Sequence, residues 1–388
     1  MPIAVEFGSA ALFKEEKSMH QYSQYPDESL YIAGPECFYT GGSNFLAAMR
    51  KESEFYGFQV ALPNDKKLDW SDTEPRDNAR SIFQNCADSM AVSTAILADL
   101  ESFRGTEPDG GTIYEIGMAY ARGLRCYAYT RDLRPVVHKY QRAALKEDGK
   151  VYDLDGRVLP HMDIPFAPCI VGSCKIVEGK YTDCLKALRT DLDEERKHKA
   201  KRQTPAVDHS AEVTLEKGDK PVVYLAGPER YDPDAAEKYA AMKKLCEERG
   251  LVAITPLDAA PGVAEVESDD PYTKAYNLFD RWQQHVRNCD IIIADLSDYH
   301  GFEPNSDVAF ECGMAWQLGK KCFAYMHDAT WMRQRIAHYG EDKDNRDIYG
   351  NDVENFNYPV NLMFSGSMPV YGGKFEEIID QVMEELNK

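Results

Sequence analysis

Residues 107–129, EPDGGTIYEIGMAYARGLRCYAY, recur as residues 303–325, EPNSDVAFECGMAWQLGKKCFAY, with ten of 23 aligned positions identical. A repeat of this length implies two copies of one folding unit. In each copy an apolar run ending in Ala-Asp-Leu (98–100, 294–296) precedes a loop, then a helix expected to carry a glutamate, Glu115 or Glu311, in its first turn. Strand, loop and helix start thus converge on one carboxylate.

The rest of the chain follows the same duplication. A short apolar strand stops at Gly34-Pro35 in one half and at Gly227-Pro228 in the other. Helical stretches follow at 44–56 and 235–249, then a second strand ending in Pro63 or Pro256, then helices at 78–90 and 276–288. After the Glu-bearing helix, which stops at Gly123 or Gly319, a fourth strand spans 125–129 or 321–325. Long polar insertions (132–162, 328–356) lead to the apolar segments 164–169 and 358–363 and to a closing helix. In the second half Phe375, Ile378, Ile379, Val382, Met383 and Leu386 mark one face of that helix at helical spacing. The expected division is an arm (1–27), a first domain (28–195), a charged, solvated linker (196–219) and a second domain (220–388). Alternating strands and helices with two-sided apolar strands predict an α/β fold. It comprises two tandem flavodoxin-like, doubly wound domains, each a five-stranded parallel sheet with helices on both faces. Such sheets bind ligands beyond the carboxyl ends of their strands, where strand order reverses. Gly34-Pro35, the loop after Asp99 and the start of the Glu115 helix all belong to that rim.

Hydrophobic and charged contents of 43% and 28% are those of a globular chain of 388 residues, and no apolar run approaches the roughly 20 residues that span a bilayer. The N-terminus shows no basic leader before an apolar core, so a cytoplasmic location without membrane partners is expected. Ten scattered cysteines without Cys-x-x-Cys read as reduced core residues, with no disulfide framework or metal site. A formal net charge of −20 disfavours a nucleic-acid partner.

Glu115 has two readings. Thr112-Ile113-Tyr114-Glu115 fits a capping box, yet Val308 replaces the threonine in the second copy and Glu311 remains. That persistence favours chemistry, and a helix N-terminus would keep the carboxylate ionised as a nucleophile. Tyr31 recurs as Tyr224 before the same Gly-Pro. Each is either a core aromatic or a phenol that orients the carboxylate and holds down its pKa. Asp109, in Pro-Asp-Gly-Gly, is either a turn residue or a ligand contact.

Three motifs together resemble the nucleoside 2-deoxyribosyltransferases: Tyr31-Ile32-Ala33-Gly34-Pro35, the block Ala98 through Gly117, and Pro359-Val360-Asn361-Leu362-Met363. The resemblance covers both halves. It implies that Glu115 displaces the base at C1′ of a 2′-deoxynucleoside, forming a covalent deoxyribosyl-enzyme from which a second free base departs as a new nucleoside with retained configuration. It further implies that Tyr31 positions Glu115 and that Asp109 grips a sugar hydroxyl. Gly34, Gly111 and Asn85 would belong to the substrate site, Asn85 one residue out of the family's spacing. No metal or organic cofactor is implied; the partners are deoxynucleosides and free nucleobases.

The halves depart from this pattern in opposite ways. In the family the asparagine and methionine of Asn-Leu-Met reach a neighbouring subunit's site; here the second half has Asn361 and Met363 and the first has Ala167 and Cys169. Conversely, the second half has Asn305 for Asp109 and Asp307 for Gly111. The expectation is a covalent pseudo-dimer with one composite site (Tyr31, Asp109 and Glu115 with Asn361 and Met363) and one degenerate site (Tyr224, Asn305 and Glu311). Further homo-oligomerisation stays open. Two alternatives are an N-glycosidase on the same fold and a catalytically inactive nucleotide sensor. Glu36 and Glu229, after the first strands, weigh against a phosphate-bearing substrate.

Overall fold

The structure, a computed structural model, describes residues 25–66, 74–140, 143–153, 156–159, 161–198, 201–205, 218–336 and 345–388. Most of the expected arm, much of the linker and parts of both insertions lie outside these residues.

The first half runs β1 (Tyr25–Ala33), α1 (Gly42–Phe55), β2 (Phe58–Ala61), α2 (Pro75–Ala91), β3 (Ala95–Asp99), α3 (Gly110–Ala121) and β4 (Arg125–Thr130). It continues with a hairpin of β5 (Ala144–Leu145) and β6 (Val151–Tyr152), then α4 (Pro168–Ser173), β7 (Lys175–Glu178) and α5 (Tyr181–His198). The second half repeats this as β8 (Val222–Ala226), α6 (Ala235–Glu247), β9 (Val252–Ile254), α7 (Pro271–Asn288), β10 (Ile291–Asp295), α8 (Ser306–Gln317) and β11 (Lys321–Met326). It closes with α9 (Met332–Arg335), α10 (Leu362–Ser365), β12 (Val370–Gly372) and α11 (Phe375–Leu386). The sheets have the orders β2-β1-β3-β4-β7 and β9-β8-β10-β11-β12, with every pairing parallel. This is the expected doubly wound, flavodoxin-like architecture, and order reverses between β1 and β3 and between β8 and β10. β3 and β10 are buried throughout, as central parallel strands covered on both faces must be.

Several details differ from the sequence reading. β1 already begins at Tyr25, which is fully buried, stacks on Phe58 and donates to Asp193, so residues 25–27 are strand rather than arm. Residues 201–205 are not free linker: the Arg202 guanidinium donates to the carbonyls of Gly123 (3.1 Å) and Leu124 (2.5 Å), beyond the carboxyl end of α3. The apolar segments 164–169 and 358–363 run into the short helices α4 and α10, and the fifth strand comes after them.

The two halves meet through α3 and α8, which cross at glycines. A Cβ on Gly117 would stand 2.1 Å from the Phe310 carbonyl oxygen, and one on Gly313 would stand 1.9 Å from that of Tyr114. Around the crossing, Phe83 meets Trp316, Tyr114 meets Phe364, and Tyr120 meets Phe279 and Phe310, with ring centroids 4.8 to 5.8 Å apart. One hydrophobic cluster is continuous across both halves. Each repeated Glu-Pro glutamate also crosses over: Glu303 accepts from the Gly110 amide at 3.0 Å, and Glu107 accepts from the Ser306 hydroxyl.

The insertions are exchanged in the same way. Arg104, in the left-handed region at φ 51°, donates to Asp347 (3.1 Å) and to the Asp352 carbonyl (2.7 Å), so the first half clasps the second half's insertion. Its counterpart His300, at φ 54°, lies 2.6 Å from Asp153 and bonds to Tyr140 in the first half's insertion.

Candidate active site

At the β1/β3 switch point lies a cavity of about 470 Å³, within the range of small-molecule sites. Tyr31, Gly34, Asp109, Gly111 and Glu115 reach it from the first half, and Asn361 and Met363 from the second. The structure thus gathers seven of the eight residues expected in or around the composite site. Asn85 is the exception. On α2 it is Ile82 and Cys86 that face the cavity, because a helix turns about 100° per residue and Asn85 falls off that stripe.

The local reading of Glu115 also changes. α3 begins at Gly110, and Asp109 is its N-cap: Asp109 Oδ2 accepts from the Thr112 amide (2.8 Å) and hydroxyl (2.7 Å). Thr112 therefore lies inside the helix, and no Thr112–Glu115 capping box exists. Glu115 is in the second turn, beyond the strongest field of the helix N-terminus. Burial pushes its carboxyl up to about 8, against the hydrogen bond from the Tyr31 hydroxyl that lowers it. Tyr31 acts in the expected direction, but desolvation outweighs it. Asp109 combines both of its readings, since Oδ2 caps the helix while Oδ1 is buried without a partner.

Asn361 is likewise bifunctional. Its Oδ1 accepts from the Met363 amide as the cap of α10, and its amide group leans on Gly111 so closely that a Cβ there would stand 2.7 Å from Nδ2. Gly111 is needed for this approach across the halves.

At the β8/β10 switch point the corresponding region holds a cavity of about 30 Å³. Arg230 fills the space. Its Nη1 and Nη2 reach Glu311 Oε1 and Oε2 at 2.9 and 2.6 Å, and Tyr224 donates to Oε1 at 2.8 Å. Burial raises the Glu311 carboxyl while Arg230 pulls it back. Asp307 accepts from the Cys169 amide (2.9 Å) and the Tyr231 hydroxyl (2.5 Å), and Asn305 caps α8. The sequence reading located the loss in Asp307; Arg230 is the larger plug. Its signal was available, since Arg230 stands three residues after Gly227 as Cys37 stands three after Gly34. Cys37 is exposed and lines the open cavity.

Glu36 does not line the open cavity. It is buried, accepts from the Tyr129 hydroxyl at 2.8 Å and lies beside Asp99, whose carboxyl burial and Glu36 together push up to about 8. The plugged half keeps the same arrangement in Glu229, Asp295 and Tyr325, so the pair belongs to the fold rather than to the open cavity.

The nucleoside 2-deoxyribosyltransferase family model matches residues 30–164 and 223–363. The chain belongs to this family. Both halves of this nucleoside 2-deoxyribosyltransferase family member match the model, as the duplication requires. Among solved structures, a 2-desoxiribosyltransferase from Leishmania mexicana is 30% identical, with 42% of this chain and 97% of that one covered at a TM-score of 0.34. A conserved protein from Enterococcus faecalis V583 is 21% identical over 43% and 99% of the two chains (TM-score 0.28). The CMP N-glycosidase BcmB from Clostridium botulinum is 15% identical over 42% and 98% (TM-score 0.22). No curated protein matches the chain. Among the described residues of this family member, no helix is long and apolar enough to cross a membrane.

Proposed function

We propose that the protein transfers 2-deoxyribose between nucleobases at the composite cavity, with Glu115 as nucleophile. The observation that carries this reading is the contrast between the two glutamates. Glu115 opens on a cavity of about 470 Å³, whereas Glu311 has both oxygens engaged by the buried Arg230. Tyr31 occupies Glu115 Oε1, leaving Oε2 to attack C1′. The glycosidic bond's electron pair leaves with the base and an ester forms at C1′; a second base attacking from the vacated side breaks that ester, releases the Glu115 carboxylate and restores the configuration. Phe38, Leu46, Leu62, Ile82 and Phe356 wall the cavity with apolar surface suited to a flat base, which favours capture by a base over capture by water. No Lys or Arg lines it among the described residues, so a neutral nucleoside fits better than a nucleotide. A role in nucleoside salvage follows from this reaction.

The test is chromatography of products from a deoxynucleoside, with and without a different free base. Transfer gives a new deoxynucleoside only when the second base is present. Glu115→Ala abolishes it, and a quenched reaction shows one deoxyribosyl unit on the peptide carrying Glu115. Asn361→Asp, which keeps the cap on α10, lowers turnover more than about tenfold, about 1.4 kcal/mol of barrier. Release of free base and deoxyribose regardless of acceptor would make the protein a hydrolase instead, and unchanged turnover in Asn361→Asp would remove Asn361 from the reacting site.

A further inference from the structure

Glu354 is absent from every motif discussed so far. It belongs to the second half's insertion, which Arg104 of the first half holds in place through Asp347 and the Asp352 carbonyl. There Glu354 lines the same cavity as Glu115. Its Oε2 accepts from the Leu362 amide at 2.9 Å, beside Asn361, while its Oε1 is fully buried with no partner. Among the described residues lining the cavity, only Glu354 Oε1 and Asp109 Oδ1 are buried side-chain oxygens left unsatisfied. Such groups are costly unless a ligand completes them. The two oxygens come from opposite halves, and a 2′-deoxynucleoside carries two free sugar hydroxyls.

We propose that Glu354 is a substrate-binding residue that holds one deoxyribose hydroxyl while Asp109 holds the other. This rests on the nucleoside reading of the cavity. Burial pushes the Glu354 carboxyl up to about 8, so near neutral pH it is largely protonated and can both donate and accept, as a hydroxyl does. It also adds little charge to a cavity where Glu115 must ionise. By equal spacing from Asp153 and Asp347, the first half has Pro160 at this position, with no polar side chain to offer. No carboxyl side chain therefore stands at the corresponding sequence position of the first half.

The experiment measures binding to the full chain carrying Glu115→Gln, which retains ligand without turnover, with and without Glu354→Ala. The probes are a 2′-deoxynucleoside and its 2′,3′-dideoxy and 2′,5′-dideoxy analogues. Glu354→Ala should weaken the deoxynucleoside about tenfold. It should leave one analogue within about twofold, because that analogue already lacks the hydroxyl in question. Glu354→Gln, which keeps a donor, an acceptor and the bond to the Leu362 amide, should stay within about threefold and serves if the alanine variant does not fold. Equal weakening of all three ligands would mean that Glu354 only props Leu362 and Asn361, overturning the assignment, as would a loss that follows the base rather than the hydroxyl. A parent chain that binds none of the three would overturn the nucleoside reading itself, and this assignment with it.

Discussion

At the residue scale, Cys37 and Arg230 occupy the same position in two copies of one domain: Cys37 lines the cavity onto which Glu115 opens, and Arg230 engages both oxygens of Glu311. The Arg230–Glu311 pair is fully buried, so removing one partner leaves an uncompensated charge in low dielectric. Arg230→Ala should destabilise the protein by about 3–5 kcal/mol in denaturant unfolding while base exchange at Glu115 continues in the folded fraction. Replacing both partners by methionine should recover most of that loss, because well-packed apolar groups often match a buried ion pair. Glu115 makes the complementary case. In the proposed reaction its carboxyl, pushed up to about 8, must lose its proton to attack, so kcat/KM should climb about tenfold per pH unit below that value and level off above it. Tyr31 lowers the Glu115 pKa by bonding to the charged form, with Asp109 opposing it. Tyr31→Phe should therefore move the midpoint to higher pH as well as slow the reaction; an unmoved midpoint would deny Tyr31 that role.

At the element scale, the crossing of α3 on α8 sets the distance between the halves and hence the shape of the cavity. It depends on Gly117 and Gly313, where the opposing backbone oxygens leave no room for a methyl group. Gly117→Ala should cost at least about 2 kcal/mol and lower turnover, read by thermal unfolding alongside the exchange assay. The order and type of these elements were legible in the sequence, because strands, helices and their stops are written in local periodicity and Gly-Pro signals. The origin of α3 was less so. A threonine and glutamate three apart fit a capping box, but Asp109 caps first and shifts the helix register. Asn85 failed for a similar reason: spacing alone does not fix which stripe of α2 faces the cavity.

For the whole molecule, the duplication places two copies of one domain against each other within a single chain. Glu303 reaching Gly110, Glu107 reaching Ser306, and Arg104 and His300 clasping the opposite insertions all join residues far apart in sequence. With one apolar cluster spanning both halves, association should not depend on the covalent link. A protease site placed within 206–217 and cut after folding should leave the two pieces together on size exclusion and base exchange intact; separation on cutting would show that the linker holds the halves. The sequence by itself determined two copies of a doubly wound domain. It also placed Tyr31, Asp109 and Glu115 on one rim, since each is fixed by turns and strand ends within a few residues of it. Only the tertiary structure decided that Arg230 closes one site, that Asn361 leans on Gly111 in the other, and that Glu354 enters it. Those contacts join residues brought together by packing, and side chains that meet only across an interface leave no periodic trace in the chain.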